Sequence, residues 1–302
     1  MRTTRRRTRL LPGLLAAALT AVVLAGCGTD EGPDVADDEP TSAGSGASSP
    51  TSEPPATESA SPATSSATPA AETVAVPVYF VGDTPLGPRL FREFRDVGAD
   101  DPVDEALALL TAGDALDPDY RTLLPAGSIT LAGHDESIAL TADPAYAERP
   151  DGMSPAEAKL AVQQVVRTVQ GALQKSVPVA FDTDMLGLGT SFKAAGDNAV
   201  LALVNITEPA EGATVSGTFT ASGVANSFEA TVPWQIRDGS GQKVQEGFAT
   251  AEGWGDKLYP WQAPVDVSAL APGTYTFVAS TDDAADGEGA GPTEDTKTIT
   301  VQ

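Results

Sequence analysis

The feature that most constrains this chain is a break in texture at residue 74. Residues 28–73 hold Ser, Thr, Ala, Pro and Gly with nine acids, no base, no aromatic residue and one large aliphatic, Val35. Such a segment cannot bury enough apolar surface to offset the entropy of ordering it, so residues 27–73 are expected to form a disordered linker. As a flexible coil it would reach roughly 35–40 Å, and further if proline and self-repulsion extend it. From Val74 the composition turns at once to Val74-Ala75-Val76-Pro77-Val78-Tyr79-Phe80-Val81, β-branched and aromatic, and stops at Gly82-Asp83-Thr84-Pro85. That pattern reads as a strand bounded by a turn. Folding in this 302-residue chain is therefore expected to begin at residue 74.

The N-terminus reads as an address. Arg2, Arg5, Arg6, Arg7 and Arg9 precede an apolar run over residues 10–25 that ends in Leu24-Ala25-Gly26-Cys27. A basic region, an apolar region and a small-residue cleavage site make a signal peptide over residues 1–26, too short and too rich in Ala and Gly for a comfortable membrane span. Leu24-Ala25-Gly26-Cys27 resembles the bacterial lipobox. The resemblance implies cleavage before Cys27 and lipid attachment to its sulfur, which would anchor the chain at the outer face of the cytoplasmic membrane. The other reading is an ordinary secretory signal with an incidental cysteine. Cleavage removes five arginines and no acid, which takes the formal charge from −24 to −29.

Two folded domains are expected. In the first, over residues 74–200, Asp101-Pro102-Val103-Asp104 starts a helix with an N-cap Asp and Pro at its first position. Val103, Ala106, Leu107 and Leu110 line one face, and Gly113 ends it. Residues 90–97 fit strand and helix equally. Short strands over 129–131 and 138–140 flank a polar turn containing His134. Ser154-Pro155-Ala156-Glu157 is a capping box for a second helix that runs to about Gln174 and buries Leu160, Val165, Val169 and Leu173. Residues 177–181 form a further strand. The order β, α, β, β, α, β predicts an α+β domain with two helices on one side of a small sheet. Over residues 204–302 helical periods vanish. Short β-type runs over 215–221, 228–232, 234–237, 244–250, 274–280 and 297–301 alternate with turns such as Asp238-Gly239-Ser240-Gly241, which predicts an all-β sandwich. With one Cys in the chain, no disulfide can cross it.

The first domain resembles the GerMN domain of sporulation and spore germination lipoproteins. The resemblance rests on Val78-Tyr79-Phe80, Pro102 with Ala106-Leu107, Leu124-Pro125-Ala126-Gly127, Leu140-Thr141-Ala142-Asp143 and Gln164-Val165-Val166-Arg167-Thr168-Val169. It departs from that pattern at Asp182-Thr183-Asp184. The second domain resembles the immunoglobulin-like domain that accompanies GerMN in many bacterial proteins, through Ile206-Thr207-Glu208-Pro209-Ala210-Glu211-Gly212, Val215 with Gly217, Gly223-Val224-Ala225 and Phe228-Glu229-Ala230-Thr231-Val232. The departure here is residues 253–265. Together the likenesses imply an envelope lipoprotein with no enzyme activity, no cofactor and no established catalytic residue.

Composition narrows the chemistry. With 42 acids against 18 bases, sequence-independent nucleic-acid binding is disfavoured, because it needs Lys and Arg to displace phosphate counterions. One His and one Cys cannot build a two-His or Cys-based metal site. His134 has no His or Cys partner to act with and reads as structural. Asp282-Asp283-Ala284-Ala285-Asp286-Gly287-Glu288 has acids at the first and fifth positions and Gly at the sixth of a calcium loop, but Ala at the third. It reads as a solvated acidic hairpin, with weak calcium binding as the alternative.

All three Trp fall in the second domain. Trp254, Tyr259 and Trp261 form the candidate contact cluster. Large rings displayed by a loop concentrate binding energy at an interface, and the same rings can equally plug a sandwich core. The expected function is a lipid-anchored envelope module that binds a protein partner. The alternative is a binding module for a wall polymer, a sugar or calcium.

Overall fold

The computed structural model describes residues 72–283 and 288–302. Cys27, the signal peptide and the linker expected over residues 27–73 lie outside these residues apart from the linker's last two positions. So does the middle of the Asp282–Glu288 segment.

The first domain opens with β1 (Thr73–Gly82) and β2 (Arg89–Gly98), paired antiparallel without a break from Thr73↔Gly98 to Gly82↔Arg89. The ambiguous residues 90–97 are therefore strand. α1 (Pro102–Ala112) follows and buries Val103, Ala106, Leu107 and Leu110 as the spacing predicts. Asp101 sits at its N-cap without a side-chain hydrogen bond, and Gly113 closes it at φ 69°. β3 (Ile129–Gly133) and β4 (Ile138–Ala142) form a hairpin. α2 (Pro155–Leu173) starts at a complete capping box: Glu157 N–H donates to Ser154 Oγ at 3.2 Å and Ser154 N–H donates to Glu157 Oε2 at 2.8 Å. α2 crosses over to β5 (Val179–Phe181), which pairs parallel with β4, as a helical crossover permits. β6 (Ser191–Phe192) is the edge of that sheet, and the short α3 (Asp197–Val200) leads out of the domain.

The α+β class holds, with two sheets where one was expected: β1-β2, and β3-β4-β5-β6. α2 closes the free side of β1. Tyr79 N–H donates to Thr168 Oγ1 at 3.0 Å, and Gln164 Nε2 donates to Tyr79 C=O at 3.0 Å. Two buried polar side chains on the apolar face of α2 thus satisfy a strand edge that a third strand would otherwise pair. Further along the same edge, Val81 exchanges backbone hydrogen bonds with Arg121 as an isolated antiparallel bridge.

The second domain is a sandwich built from β7 (Val204–Glu208), β8 (Ala213–Val215), β9 (Thr218–Ala225), β10 (Thr231–Arg237), β11 (Lys243–Thr250), β12 (Tyr259–Asp266), β13 (Gly273–Ser280) and β14 (Glu294–Val301). One sheet runs β11-β10-β13-β14-β8 and the other β12-β9-β7. Between them lie Ile206, Val232, Trp234, Ile236, Trp261, Val265, Phe277 and Ile299.

Three boundaries differ from expectation. The strand expected over 215–221 breaks at Ser216-Gly217 into β8 and β9, where Gly217 takes φ 58°. The strands expected over 228–232 and 234–237 are one strand, β10, preceded by a tight turn at Phe228–Ala230. β12 was not expected as a strand at all. Pro260 and Pro264 argue against a central strand, and β12 is an edge, which tolerates proline.

Gly223 sits on β9 between β7 and β12. A Cβ there would fall 2.0 Å from the Asn205 carbonyl oxygen and 3.0 Å from the Trp261 ring. Gly223→Ala must push two strands apart, so the variant should lose about 2 kcal/mol or more in urea unfolding. An unchanged midpoint would show that β7 and β12 yield freely.

Candidate functional site

The loop before β12 displays Trp254, which is 51% exposed. Its ring meets Phe228, 43% exposed, edge to face with centroids 5.2 Å apart. Two asparagines fix this loop. Asn226 Oδ1 accepts from Gly255 N–H at 2.7 Å, its Nδ2 donates to Asn198 Oδ1 at 2.8 Å, and Asn198 Nδ2 donates to Gly255 C=O at 2.9 Å. The Phe228 turn is held as firmly. Glu229 and Ala230 both adopt positive φ, 51° and 59°, a conformation that costs non-glycine residues energy and persists only where the surroundings enforce it. Buried Ser227 donates to Thr231 C=O and accepts from Asp282 N–H, tying the turn to its neighbours.

The three residues of the candidate cluster have different places. Trp254 is at the surface. Tyr259 is half-buried, its ring beneath Lys257 at 5.0 Å, and its hydroxyl donates to Asp256 at 2.6 Å, which holds the Asp256 carboxyl below its ordinary value. Trp261 is 3% exposed and packs in the sandwich core, so it cannot serve as a contact. The strand alternation of β12 turns Trp261, Ala263 and Val265 inward and Pro260, Gln262 and Pro264 outward. Phe228, Asn226 and Asn198 were not expected at the site. They come from two separated segments, around 198 and over 226–228, and nothing local in the sequence links them to Trp254.

A buried charge cluster joins β14 to the segment that follows α1. Lys297 on β14 is 4% exposed. Its ammonium donates to Asp117 Oδ2 at 2.5 Å and to the Tyr120 hydroxyl at 2.8 Å, approaches Asp295 at 3.4 Å, and lies 4.4 Å above the Tyr120 ring. Tyr120 donates to Asp295 Oδ1 at 2.6 Å, and Ile206 N–H donates to Asp295 Oδ2 at 2.6 Å. Glu93 accepts from the N–H groups of Leu116 and Asp117 at 3.0 and 2.8 Å, fixing the segment that carries Asp117. Burial pushes the carboxyls of Glu93 and Asp295 up, against the pull of Lys297 and these donors. Burial pulls the Lys297 ammonium down, but Asp295 and Asp117 outweigh it and hold it above its ordinary value. Burial, with Asp295 and Asp117 beside it, pushes the Tyr120 phenol well up. Asp117 and Tyr120 belong to the first domain, Asp295 and Lys297 to the second.

His134 lies in an exposed turn beside Lys175, whose ammonium donates to its carbonyl at 2.7 Å. Among the described residues no group of three or more His, Cys, Asp or Glu is placed to hold a metal ion.

Residues 203–288 match the family described as the immunoglobulin-like domain of bacterial spore germination. Among solved structures, the tandem GerMN domains of the sporulation protein GerM from Bacillus subtilis align with 65% of this chain and 62% of that one, at 14% identity and a TM-score of 0.32. CopC from Methylosinus trichosporium OB3b aligns with 33% of this chain and 93% of its own, at 20% identity and a TM-score of 0.22. The endo-beta-1,4-mannanase from Thermotoga petrophila aligns with 33% of this chain, at 10% identity and a TM-score of 0.24, and the alignment spans 19% of the mannanase. No curated protein sequence matches.

The two tryptophans should separate cleanly by substitution. Trp261→Ala should cost about 3–5 kcal/mol in urea unfolding, and Trp254→Ala under about 1 kcal/mol. Similar losses would mean that Trp254 belongs to the packed core.

The cluster also sets a pH dependence. Tyr120 and Lys297 keep their protons to higher pH in the folded protein than in the unfolded chain. Their contribution is full below the ordinary values of 10.0 and 10.5 and is lost as pH rises past them toward the raised folded values. Urea unfolding should show stability falling above about pH 10, and Tyr120→Phe should make that fall shallower. An identical alkaline slope in the variant would contradict the assignment.

Proposed function

We propose that this chain is a lipid-anchored extracytoplasmic envelope protein, attached through Cys27 at the outer face of the cytoplasmic membrane, whose folded part is a non-catalytic module for docking a protein partner. The anchor rests on the basic, apolar and Leu24-Ala25-Gly26-Cys27 segments. Among the described residues no helix is long and apolar enough to cross a membrane. The GerMN-like reading of the first domain and the family match at residues 203–288 both favour a module without chemistry of its own.

The observation that carries the docking role is the exposed Trp254–Phe228 pair, pre-set by Asn226, Asn198 and the strained Glu229-Ala230 turn. Rigid aromatic anchors lose little freedom on binding, so more of their contact area appears as affinity. Wall polymers are the second reading, because an exposed indole can also stack on a sugar ring.

The test is chemical crosslinking in intact cells followed by recovery of the full chain. One defined protein recovered with the wild type, and reduced about tenfold or more with Trp254→Ala, supports the docking role. Recovery of wall fragments instead, lost with the same substitution, transfers the site to the polymer reading. Recovery of either that is indifferent to Trp254 refutes the site.

A further inference from the structure

The described surface holds a second feature, independent of Trp254. A groove of about 850 Å³ opens between the N-terminal half of α2, the β1–β2 turn and the segment from β6 to α3. Its floor is apolar, with Leu160, Leu188, Phe192, Ala195 and Val200 among its residues, and its volume lies in the range of small-molecule sites. Arg89 and Lys159 stand in its lining. Among the described residues no carboxylate lies within ion-pairing distance of either, although acids heavily outnumber bases in this chain. Arg89 donates to the neighbouring Pro88 carbonyl at 3.1 Å. The acid of the lining, Glu157, has one oxygen tied to Ser154 N–H in the capping box.

The wall along residues 193–195 decides what kind of ligand fits. Half of its backbone N–H and C=O groups are already used: Gln163 Nε2 donates to Lys193 C=O at 3.0 Å, Ala195 N–H donates to Gln163 Oε1 at 2.8 Å, and Arg167 donates to Ala195 C=O. An extended peptide laid here would find only the two-residue edge of β6 to pair with and would bury most of its own N–H and C=O groups unsatisfied. An alkyl chain carries no such groups. It needs an apolar floor along its length and a counter-charge at its end.

We propose that this groove binds the alkyl chain of an anionic amphiphile, with Arg89 and Lys159 receiving its carboxylate or phosphate. The site adjoins the Trp254 loop through α3, where Asn198 holds Gly255 while Ala199 and Val200 line the groove, but it does not depend on the docking role.

The test is titration calorimetry on the full chain carrying Cys27→Ser, so that no acyl group on that sulfur competes. The probes are decanoate, dodecanoate and tetradecanoate below their micellar concentrations, with methyl dodecanoate as the neutral control and dodecyl phosphate as the alternative head. One saturable site is expected, tightening about three- to fourfold for each methylene added. The methyl ester should bind about tenfold more weakly. Arg89→Gln with Lys159→Gln should abolish the difference between acid and ester. Ala199→Trp should block binding, with Ala156→Trp as a second obstruction should the first fail to fold, and Trp254→Ala should leave binding unchanged. The ratio of dodecyl phosphate to dodecanoate affinity distinguishes a phosphorylated from a carboxylic ligand. Absence of saturable binding, equal binding of acid and ester, or binding indifferent to a folded obstructing variant each overturns the proposal.

Discussion

A lysine ammonium taken out of water is costly unless its partners are in place. Lys297 is compensated from two directions: Asp295 beside it on β14, and Asp117 with the Tyr120 hydroxyl and ring from the first domain. Such clusters contribute little net stability compared with apolar packing, but they penalise any arrangement that leaves one member without its partners. Here that penalty specifies one relative placement of the two domains. Apolar contact supplies the attraction: Val81, Leu90 and Leu160 of the first domain pack with Leu201 and Leu258. Hydrogen bonds to the β2 backbone add register, with Ala202 N–H donating to Leu90 C=O at 2.9 Å and Arg92 N–H to the Asn205 side-chain Oδ1 at 2.9 Å. The two domains lie within one compact unit.

The setting of the Trp254 loop depends on that placement, because Asn198 of the first domain holds Gly255 of the second, whereas the groove is lined by the first domain alone. α3 has four residues and little stability of its own, yet it faces both. Asn198 reaches the Trp254 loop, and Ala199 and Val200 close the groove. A shift between the domains would move α3 relative to Gly255, while the Arg167–Asp197 pair at 2.8 Å holds α3 to α2.

What could be read in the sequence was what neighbouring residues decide. The capping box at Ser154, the Gly113 stop and the apolar face of α1 depend on residues within one or two turns. The structure has them where the spacing puts them. The way the β1 edge is covered was hidden, because it depends on Gln164 and Thr168 reaching a strand over eighty residues away. The Lys297–Asp117 pair spans 180 residues, and among so many acids no local pattern marks Asp117 as special. At the candidate site the rings were visible, but their fates were not. Trp261, Ala263 and Val265 do carry the period of a half-buried strand, which Pro260 and Pro264 obscured. The supports of Trp254 (Asn198, Asn226 and the Phe228 turn) are brought together only by the fold.

The buried cluster and the apolar seam join the two domains, which are therefore expected to unfold as a unit. Differential scanning calorimetry on the full chain tests it most directly. This junction predicts a single transition whose calorimetric and van't Hoff enthalpies agree, and which Asp117→Asn moves as a whole or splits in two. Two separate transitions in the wild type, with the sandwich melting at the same temperature whether or not Asp117 is substituted, would contradict it.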